Sequence, residues 1–228
     1  MNILKVQNLT KIYGTGETAV HALDGVSFEV ERGEFVSVVG RSGSGKFTML
    51  HMIGGLDKPT SGAVVVDGRS LENMDDEALT IFRRRNIGFV FQQYNLIPML
   101  NVWENVILPV KLDGKKLQRD YVEMVIDTLG LSNKMWNLPC TLSGGQQQRA
   151  AIARALAAKP GLLLCDEPTG NLDSQTSQDV LGLLKVTSEQ FHQTVIMITH
   201  NEEIAQLADR ILRIEDGRLQ DGGAYGKG

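Results

Sequence analysis

A glycine-rich segment at residues 40–46 carries the residue types that bind phosphate. It reads Gly-Arg-Ser-Gly-Ser-Gly-Lys and lies between an apolar run ending at Val39 and an apolar segment at residues 49–53. Glycines let backbone N–H groups turn toward a phosphate, a helix N-terminus adds partial positive charge, and the lysine reaches the β- and γ-phosphates. A strand, a glycine loop and a helix in this order predict a site for a nucleoside phosphate, rather than a turn that binds nothing.

One position departs from the pattern of such loops. The lysine is followed by Phe47, where a Ser or Thr hydroxyl would ligate Mg²⁺. Thr48 comes next, but one residue along a helix is about 100° around its axis, so its hydroxyl should not reach the same ligand position. The phenyl ring must either turn away from the phosphates or crowd the metal. We therefore expect phosphate binding to persist, because Phe47 keeps its backbone N–H, and Mg²⁺ ligation to be weakened.

Two carboxylates follow a second apolar run. Residues 162–165 read Leu-Leu-Leu-Cys, and Asp166 and Glu167 come directly after them. An aspartate in this place can hold Mg²⁺, directly or through water, and a glutamate can orient or deprotonate an attacking water. Taken alone, such a pair is more often a solvated turn. In the same chain as a phosphate loop, it indicates phosphoryl transfer to water.

Nearly continuous apolar runs predict the strands that position these residues. Such runs are typical of strands buried on both faces of a parallel sheet, and ligands bind beyond the carboxyl ends of these strands. Gly40, Asp166 and His200 each follow one run, so we predict that they share one site. The runs are residues 35–39, 162–165 and 195–199.

The remaining patterns predict the rest of the architecture. Alternation at residues 26–30 and a β-rich run at 63–66 predict antiparallel strands, whereas apolar spacing at 120–131 and 146–158 predicts helices. We therefore expect three parts: a nucleotide-binding core at 1–91 and 160–220, a helical lobe at 92–159 and a flexible tail at 221–228.

The composition is that of a soluble globular protein. Hydrophobic residues make up 42% of the 228 residues, and the formal net charge of −4 offers no global positive field to hold nucleic acid. Two cysteines do not make a disulfide scaffold, and the N-terminus lacks the features of a signal peptide. The uncharged stretch at residues 86–103 contains too many polar residues for a membrane span. We expect any contact with a membrane to be made through a partner.

The segment Leu-Ser-Gly-Gly-Gln at residues 142–146 precedes one of the predicted helices. Ser143 fits an N-cap, and its hydroxyl with the N–H groups of the helix also fits a second anion site, so both interpretations stay open. This segment resembles the signature of ATP-binding cassette (ABC) ATPases. The likeness covers residues 2–220, with the motifs in the family's order and spacing. It implies an α/β P-loop NTPase (RecA-like) core with an antiparallel β subdomain and an inserted α-helical subdomain.

The resemblance also implies a role for each matching residue. Tyr13 would stack on adenine, and Gln92 would contact Mg²⁺ and the attacking water. Asp166 would ligate Mg²⁺, Glu167 would be the catalytic glutamate, and His200 would lie at the γ-phosphate. The other residues implied in binding ATP are Gly40, Arg41, Ser42, Gly43, Ser44, Gly45, Lys46, Phe47, Thr48, Ser143, Gly144, Gly145, Gln146 and Asp173, with Lys46 also counted as catalytic.

The same resemblance implies partners. The signature of one subunit caps the nucleotide of another, so the working unit would be a homodimer or a heterodimer with a second cassette. Residues 87–98 and 142–149 resemble the exporter-type ATPases of lipoprotein-release, macrolide-efflux and antimicrobial-peptide-resistance permeases. The family docks a coupling helix of its membrane partner after Gln92. Ile97, Met99 and Trp103 would serve that contact or fill the lobe's own core.

These implications converge on an expected function. We expect an ATP-hydrolysing subunit, cytoplasmic and peripheral on the inner face of the membrane, that powers an integral-membrane permease of the exporter or mechanotransducing type. Phe47 leaves open a catalytically impaired regulatory cassette that only binds nucleotide. A soluble ABC ATPase acting on nucleic acid or the ribosome is a third possibility, which the net charge does not favour. The transported substrate is not encoded in this subunit.

Overall fold

The computed structural model describes residues 1–220, and the predicted flexible tail at 221–228 lies outside them. The chain forms two compact units, one comprising Met1–Arg83 and the chain from Thr194 onward, the other Arg84–Gln193. The lobes predicted from sequence patterns are divided at 91/92 and 159/160, which differs from the division into compact units. Those lobe boundaries stay a prediction.

The described residues form ten strands, seven α-helices and four short 3-10 helices. The strands are β1 (Asn2–Tyr13), β2 (Val20–Glu31), β3 (Phe35–Val39), β4 (Ser61–Val66), β5 (Arg69–Ser70), β6 (Ile87–Val90), β7 (Leu162–Asp166), β8 (Thr194–Thr199), β9 (Arg210–Glu215) and β10 (Arg218–Leu219). The α-helices are α1 (Lys46–Ile53), α2 (Asp76–Asn86), α3 (Val102–Leu112), α4 (Arg119–Thr128), α5 (Gly144–Ala157), α6 (Ser174–Gln190) and α7 (Glu202–Ala205). Short 3-10 helices lie at Gly16–Thr18, Leu71–Asn73, Ser132–Lys134 and Pro139–Thr141.

The first unit opens with an antiparallel sheet. Its strands lie in the order β2-β1-β4-β5, and β1 pairs antiparallel with both β2 and β4. This confirms the antiparallel strands predicted from residues 26–30 and 63–66. In β4, the buried side chains of Val64 and Val66 alternate with more exposed ones, which is the signature of a half-buried strand.

Parallel strands in the first unit position the phosphate loop. β3 is buried along its whole length and pairs in parallel with β8 and β9, while β10 pairs antiparallel with β9. Val39 lies opposite Thr199, so β3 and β8 end at the same edge. Gly40 and His200 therefore leave adjacent strands side by side, as the apolar runs predict.

The second unit contains the parallel pair β6 and β7, in which Val90 lies opposite Cys165. The helical spacing predicted at 120–131 and 146–158 is confirmed by α4 and α5. α4 buries Val122, Val125 and Ile126, and α5 buries a mostly alanine face that allows close packing. No helix in the part of the chain that the structure describes is long and apolar enough to cross a bilayer.

Candidate nucleotide site

The phosphate loop connects β3 to α1 in the first unit. Gly43 and Gly45 adopt left-handed φ values of 78° and 102°, which disfavour any residue with a side chain. A Cβ at Gly45 would also lie 2.3 Å from the carbonyl oxygen of Ala22. Gly45 is the N-cap of α1 and provides no side-chain cap, so the first N–H groups of this helix are not capped by their own loop's side chain.

Lys46 is folded back into the loop and is only 6% exposed. Its Nζ donates hydrogen bonds to the carbonyl oxygens of Gly40, at 2.6 Å, and Arg41, at 2.7 Å, and lies 3.4 Å from Ser44 Oγ. A buried ammonium group is stable only where oxygen atoms surround it. Phosphate oxygens can take over from backbone carbonyls, so the loop fits the triphosphate of ATP.

Phe47 lies on the surface of α1. Its side chain is 51% exposed, and its ring centroid is 3.8 Å from that of His51, one turn further along the helix. Burial lowers the pKa of His51 below its ordinary value. The sequence predicts that the phenyl ring either turns away from the phosphates or crowds the metal. In the structure it packs against the ring of His51.

The same position does not fit Mg²⁺. A phenyl ring has no oxygen to offer a cation that demands oxygen ligands. Across residues 1–220, no group of three or more His, Cys, Asp and Glu side chains could hold a metal ion. We assign no metal-dependent step to position 47.

Tyr13 is fixed at its hydroxyl end and is 43% exposed. The hydroxyl donates a hydrogen bond of 2.8 Å to Asp57, and the ammonium group of Lys11 lies 4.8 Å from the ring centroid and 2.9 Å from the same carboxylate. Burial, and then the hydrogen bond to Asp57, raise the pKa of Tyr13. Burial disfavours the charged form of Asp57, but hydrogen bonds from Lys11 and Tyr13 outweigh it and lower the pKa of that carboxyl. The ring is held in place with part of its surface open.

His200 and the start of the phosphate loop line one open cavity in the first unit. The lining includes Gly40, Arg41 and Ser42 of the loop, together with Glu202 and Arg213, which form an ion pair of 2.6 Å. The structure thus brings His200 to the loop. Asp166 belongs to the second unit, and the prediction that it shares a site with Gly40 and His200 stays a prediction.

Asp166 and Glu167 follow the buried part of β7 in the second unit. Glu167 has a φ of 41°, a left-handed conformation that is uncommon for a residue other than glycine. Its carbonyl oxygen accepts a hydrogen bond of 2.9 Å from the N–H of Gly170, which closes a turn. Strained backbone of this kind is often retained where a side chain must be aimed. Burial, and then the charge of Asp166, raise the pKa of the neighbouring Cys165 thiol.

Ser143 caps α5 in the second unit. Its Oγ accepts a hydrogen bond of 3.3 Å from the N–H of Gln146, whose Oε1 accepts one of 3.0 Å from the N–H of Ser143. This reciprocal arrangement is a capping box, so the N-cap interpretation of Ser143 is confirmed. Its role toward an anion stays a prediction.

The signature glycines allow close approach to neighbouring segments. A Cβ at Gly144 would lie 2.8 Å from the hydroxyl oxygen of Tyr94, and one at Gly145 would lie 2.4 Å from Cγ2 of Thr176. Neither glycine has a left-handed φ, so space rather than backbone conformation requires them.

Asp173 is the N-cap of α6. Its carboxylate accepts hydrogen bonds from the N–H of Thr176, at 3.0 Å, and from the Thr176 hydroxyl, at 2.6 Å. These bonds to Thr176 lower the pKa of Asp173. The carboxylate therefore has a structural role within the chain, and its predicted contact with nucleotide stays a prediction.

Gln92 lies just after β6 and is paired with a residue that the sequence analysis did not single out. Gln92 and Asn171 exchange hydrogen bonds, the side chain of each donating to an oxygen of the other. The backbone beyond Gln92 is held by Arg154, which donates to the carbonyls of Tyr94 and Asn95 and whose pKa is lowered by burial. The sequence signal for Asn171 is its place two residues before Asp173, which the resemblance implies in binding ATP.

Ile97, Met99 and Trp103, the apolar residues expected at a partner contact or in the core, are exposed or half-buried. Met99 is 85% exposed, and Ile97 and Trp103 are half-buried. The indole of Trp103 lies 6.3 Å from that of Trp136, which is 66% exposed. The expectation that these residues fill the lobe's own core is wrong for Met99, and the expected contact with a membrane partner stays a prediction.

A buried lysine inside a glycine loop, between a parallel strand and the helix it leads into, defines a P-loop nucleotide-binding protein. Residues 23–170 match the family described as ABC transporter. This chain belongs to the ABC transporter family and is one of its ATP-binding subunits. The predicted fold class is confirmed.

Relatives and a solved structure agree with this assignment. An uncharacterised ABC transporter ATP-binding protein of Thermotoga maritima is 46% identical, over 96% of this chain and 94% of its own length. A macrolide export ATP-binding/permease protein, MacB, of Bdellovibrio bacteriovorus is 41% identical over 96% of this chain, which spans only 33% of that relative. A dimeric, post-hydrolysis structure of the cassette MJ0796 of Methanocaldococcus jannaschii, bound to ADP and Pi, has a TM-score of 0.83 and 43% identity, covering 95% of this chain and 96% of that one.

Proposed function

We propose that this chain hydrolyses ATP to power a membrane permease of the exporter or mechanotransducing type, and that ATP drives its dimerisation. The observation that carries the proposal is the buried ammonium group of Lys46, held by backbone oxygens at the start of α1. The dimeric state of the similar cassette with ADP and Pi supports the dimer.

The residues of the chain then have distinct tasks. Lys46 and the uncapped N–H groups of α1 bind the β- and γ-phosphates. Glu167 accepts a proton from the attacking water, so that ATP and water give ADP and inorganic phosphate. His200 borders the γ-phosphate, and Tyr13 supports the adenine.

Mg²⁺, when bound with the nucleotide, would neutralise charge on the phosphates. Asp166 and Gln92 are the residues that would hold it, because both present side-chain oxygens. Phe47 contributes nothing to that set. Both residues proposed to hold Mg²⁺ therefore belong to the second unit of the chain.

Phosphate release by the purified chain tests the proposed reaction. We expect ADP and phosphate in equal amounts, with saturation in ATP. A chain that neither binds ATP nor releases phosphate would overturn the proposal.

The exposed apolar side chains of Met99, Trp136 and Leu138 support a permease partner on the cytoplasmic face of the membrane. They are 85%, 66% and 43% exposed, and the N–H of Val102 donates a hydrogen bond of 3.0 Å to the carbonyl of Asn137, which joins the two segments that carry them. Exposed apolar patches mark sites where a partner binds. Met99→Asp should release the chain from the membrane fraction of cells that produce its permease. Val186→Asp, on the exposed side of α6, is the matched control, and equal loss with both variants would count against this surface.

Phe47 favours a second candidate, a cassette that binds nucleotide and regulates but turns over poorly. The observation is the absence of an oxygen at the position that follows the lysine. Tight ATP binding without phosphate release, in the presence of Mg²⁺, would select this candidate over the first.

A further inference from the structure

Gln92 and Asn171 form a reciprocal pair in the second unit. Gln92 Nε2 donates to Asn171 Oδ1 at 3.2 Å, and Asn171 Nδ2 donates to the backbone carbonyl oxygen of Gln92 at 3.0 Å. The two residues are far apart in sequence, so the pair ties the segment after β6 to the loop before α6. Two bonds between the same partners restrict rotation far more than one does.

The pair fixes which end of each amide faces which partner. A backbone carbonyl can only accept, so the nitrogen of the Asn171 side chain must face the Gln92 backbone. The Asn171 oxygen then lies at the other end of its amide, where only the NH₂ group of Gln92 can pair with it. The Oε1 atom of Gln92 is consequently the end of the amide left to face a ligand.

Gly170 leaves the space that the Gln92 side chain occupies. A Cβ at Gly170 would lie 2.6 Å from Nε2 and 2.9 Å from Cδ of Gln92, closer than real Cβ contacts. The φ of Gly170 is not left-handed, so alanine can adopt the backbone there. An alanine at this position would displace the far end of Gln92 and leave the surrounding backbone in place.

The backbone around Gln92 is held separately by α5. Gln148 Nε2 donates to the carbonyl of Phe91 at 3.3 Å, and Arg154 donates to the carbonyl of Tyr94 at 3.0 Å. Loss of the Asn171 amide should therefore free the side chain of Gln92 without releasing its loop.

We propose that Asn171 is a positioning residue for Gln92, and that Gly170 is small because the Gln92 side chain lies against it. The inference rests on the proposed function of Gln92 as a contact to Mg²⁺ and the attacking water. In this arrangement, Asn171 turns Oε1 of Gln92 toward the ligand before nucleotide binds. Because the side chain is already oriented, less conformational entropy is lost when the reacting complex forms.

The positions of the Gln92 side-chain NH₂ signals in NMR spectra test the positioning directly, without activity. Gln92→Ala identifies these signals by their loss. Asn171→Ala and Gly170→Ala should each move them toward the positions of a solvated glutamine. Gly182→Ala is the matched control, because a Cβ at Gly182 meets nothing within 4 Å, and it should leave them unmoved. Gln92 signals that stay in place in Asn171→Ala would overturn the inference.

A double-mutant cycle then tests the consequence for turnover, in this chain and in its Phe47→Ser variant. Asn171→Ala should lower kcat by about 5-fold with the KM for ATP unchanged, and should cost nothing further when Gln92 is already alanine. Asn171→Asp, which keeps the acceptor for Nε2, should recover part of the loss. Additive losses would overturn the inference. An unchanged kcat in Gln92→Ala would instead overturn the proposed role of Gln92, and the NMR result would still decide the positioning.

Discussion

Two helices in this chain begin at glycine-containing motifs, and their N-termini are prepared differently. α1 starts after Gly45, which has a left-handed backbone and no side chain to cap the helix. α5 starts after Ser143, and a capping box with Gln146 already satisfies two of the N–H groups at its start. The first motif leaves its helix N-terminus without a side-chain cap, and the second caps part of its helix N-terminus from within.

The difference leads us to expect that the phosphate loop binds phosphate alone and that the signature does not. At α1, a buried ammonium group adds to the partial charge of the helix, so we expect this loop to bind phosphate without a second chain. At α5, capping uses an acceptor site of the Ser143 hydroxyl and leaves its O–H to donate. We therefore infer that the signature adds one hydrogen bond to a nucleotide that another subunit holds.

Glu167→Gln carries the largest expected effect, because it stops turnover without touching either helix N-terminus. We expect ATP hydrolysis to fall by about 10³-fold, since a positioned general base contributes 10²–10⁴. ATP binding should persist, and gel filtration with ATP should show a dimer that no longer dissociates by hydrolysis. Unchanged hydrolysis, or a monomer at every ATP concentration, would contradict the assignment. The variant should also be measured with Phe47→Ser, so that a low starting rate does not hide the loss.

Phe47→Ser sharpens the description of the α1 site, since it restores a hydroxyl at the one position where that loop lacks a metal ligand. We expect turnover to rise by about 10²-fold and to become Mg²⁺-dependent, the size expected if about 3 kcal/mol of transition-state stabilisation is regained. Steady-state ATPase measured over a range of Mg²⁺ concentrations checks this. Phe47→Leu, which removes the ring without adding oxygen, is the control. Equal rates and equal Mg²⁺ dependence for Phe47 and Ser would show that position 47 is not a ligand.

Lys46→Ala and Ser143→Arg test the difference between the N-termini of α1 and α5, because we expect the two variants to behave differently. Lys46→Ala should weaken ATP binding by the monomer by about 10- to 100-fold, because hydrogen bonds to a charged group are lost. Ser143→Arg should leave that affinity unchanged and block dimer formation. Isothermal titration and gel filtration measure the two effects separately. Reduced ATP affinity in the Ser143→Arg monomer would place Ser143 at the chain's own nucleotide.

The strand and loop elements of the site were accessible to sequence analysis because their patterns are local. The continuous apolar run of β3 predicted its exact bounds, and Gly40 and His200 do lie at the ends of paired parallel strands. β1 was not predicted, because its alternation is broken by register shifts near Asn8, whose φ of 46° is left-handed. A bulge of this kind is decided by pairing with two neighbouring strands, and a single sequence does not display it.

The side-chain partners within the site were less accessible. Nothing local distinguishes Asn171 from a solvated asparagine, because its significance lies in a distant glutamine. In the same way, the sequence could not decide whether Phe47 turns away from the loop, since the answer depends on the ring of His51 one turn further on. Contacts between distant residues, and the choice among rotamers, are fixed by packing rather than by sequence pattern.

Ser143→Ala carries the smallest expected effect and isolates the capping function from the proposed contact with nucleotide. Loss of the Oγ acceptor for the N–H of Gln146 should lower the free energy of unfolding by about 1 kcal/mol, as for other N-caps. Ser143→Asp should keep the cap and so keep the stability, but its carboxylate should repel a phosphate in the dimer. Urea unfolding gives the stability, and sedimentation with ATP gives the dimer. If Ser143 only caps α5, the aspartate variant should dimerise as well as the parent chain, whereas a donor to the partner's nucleotide predicts a stable monomer.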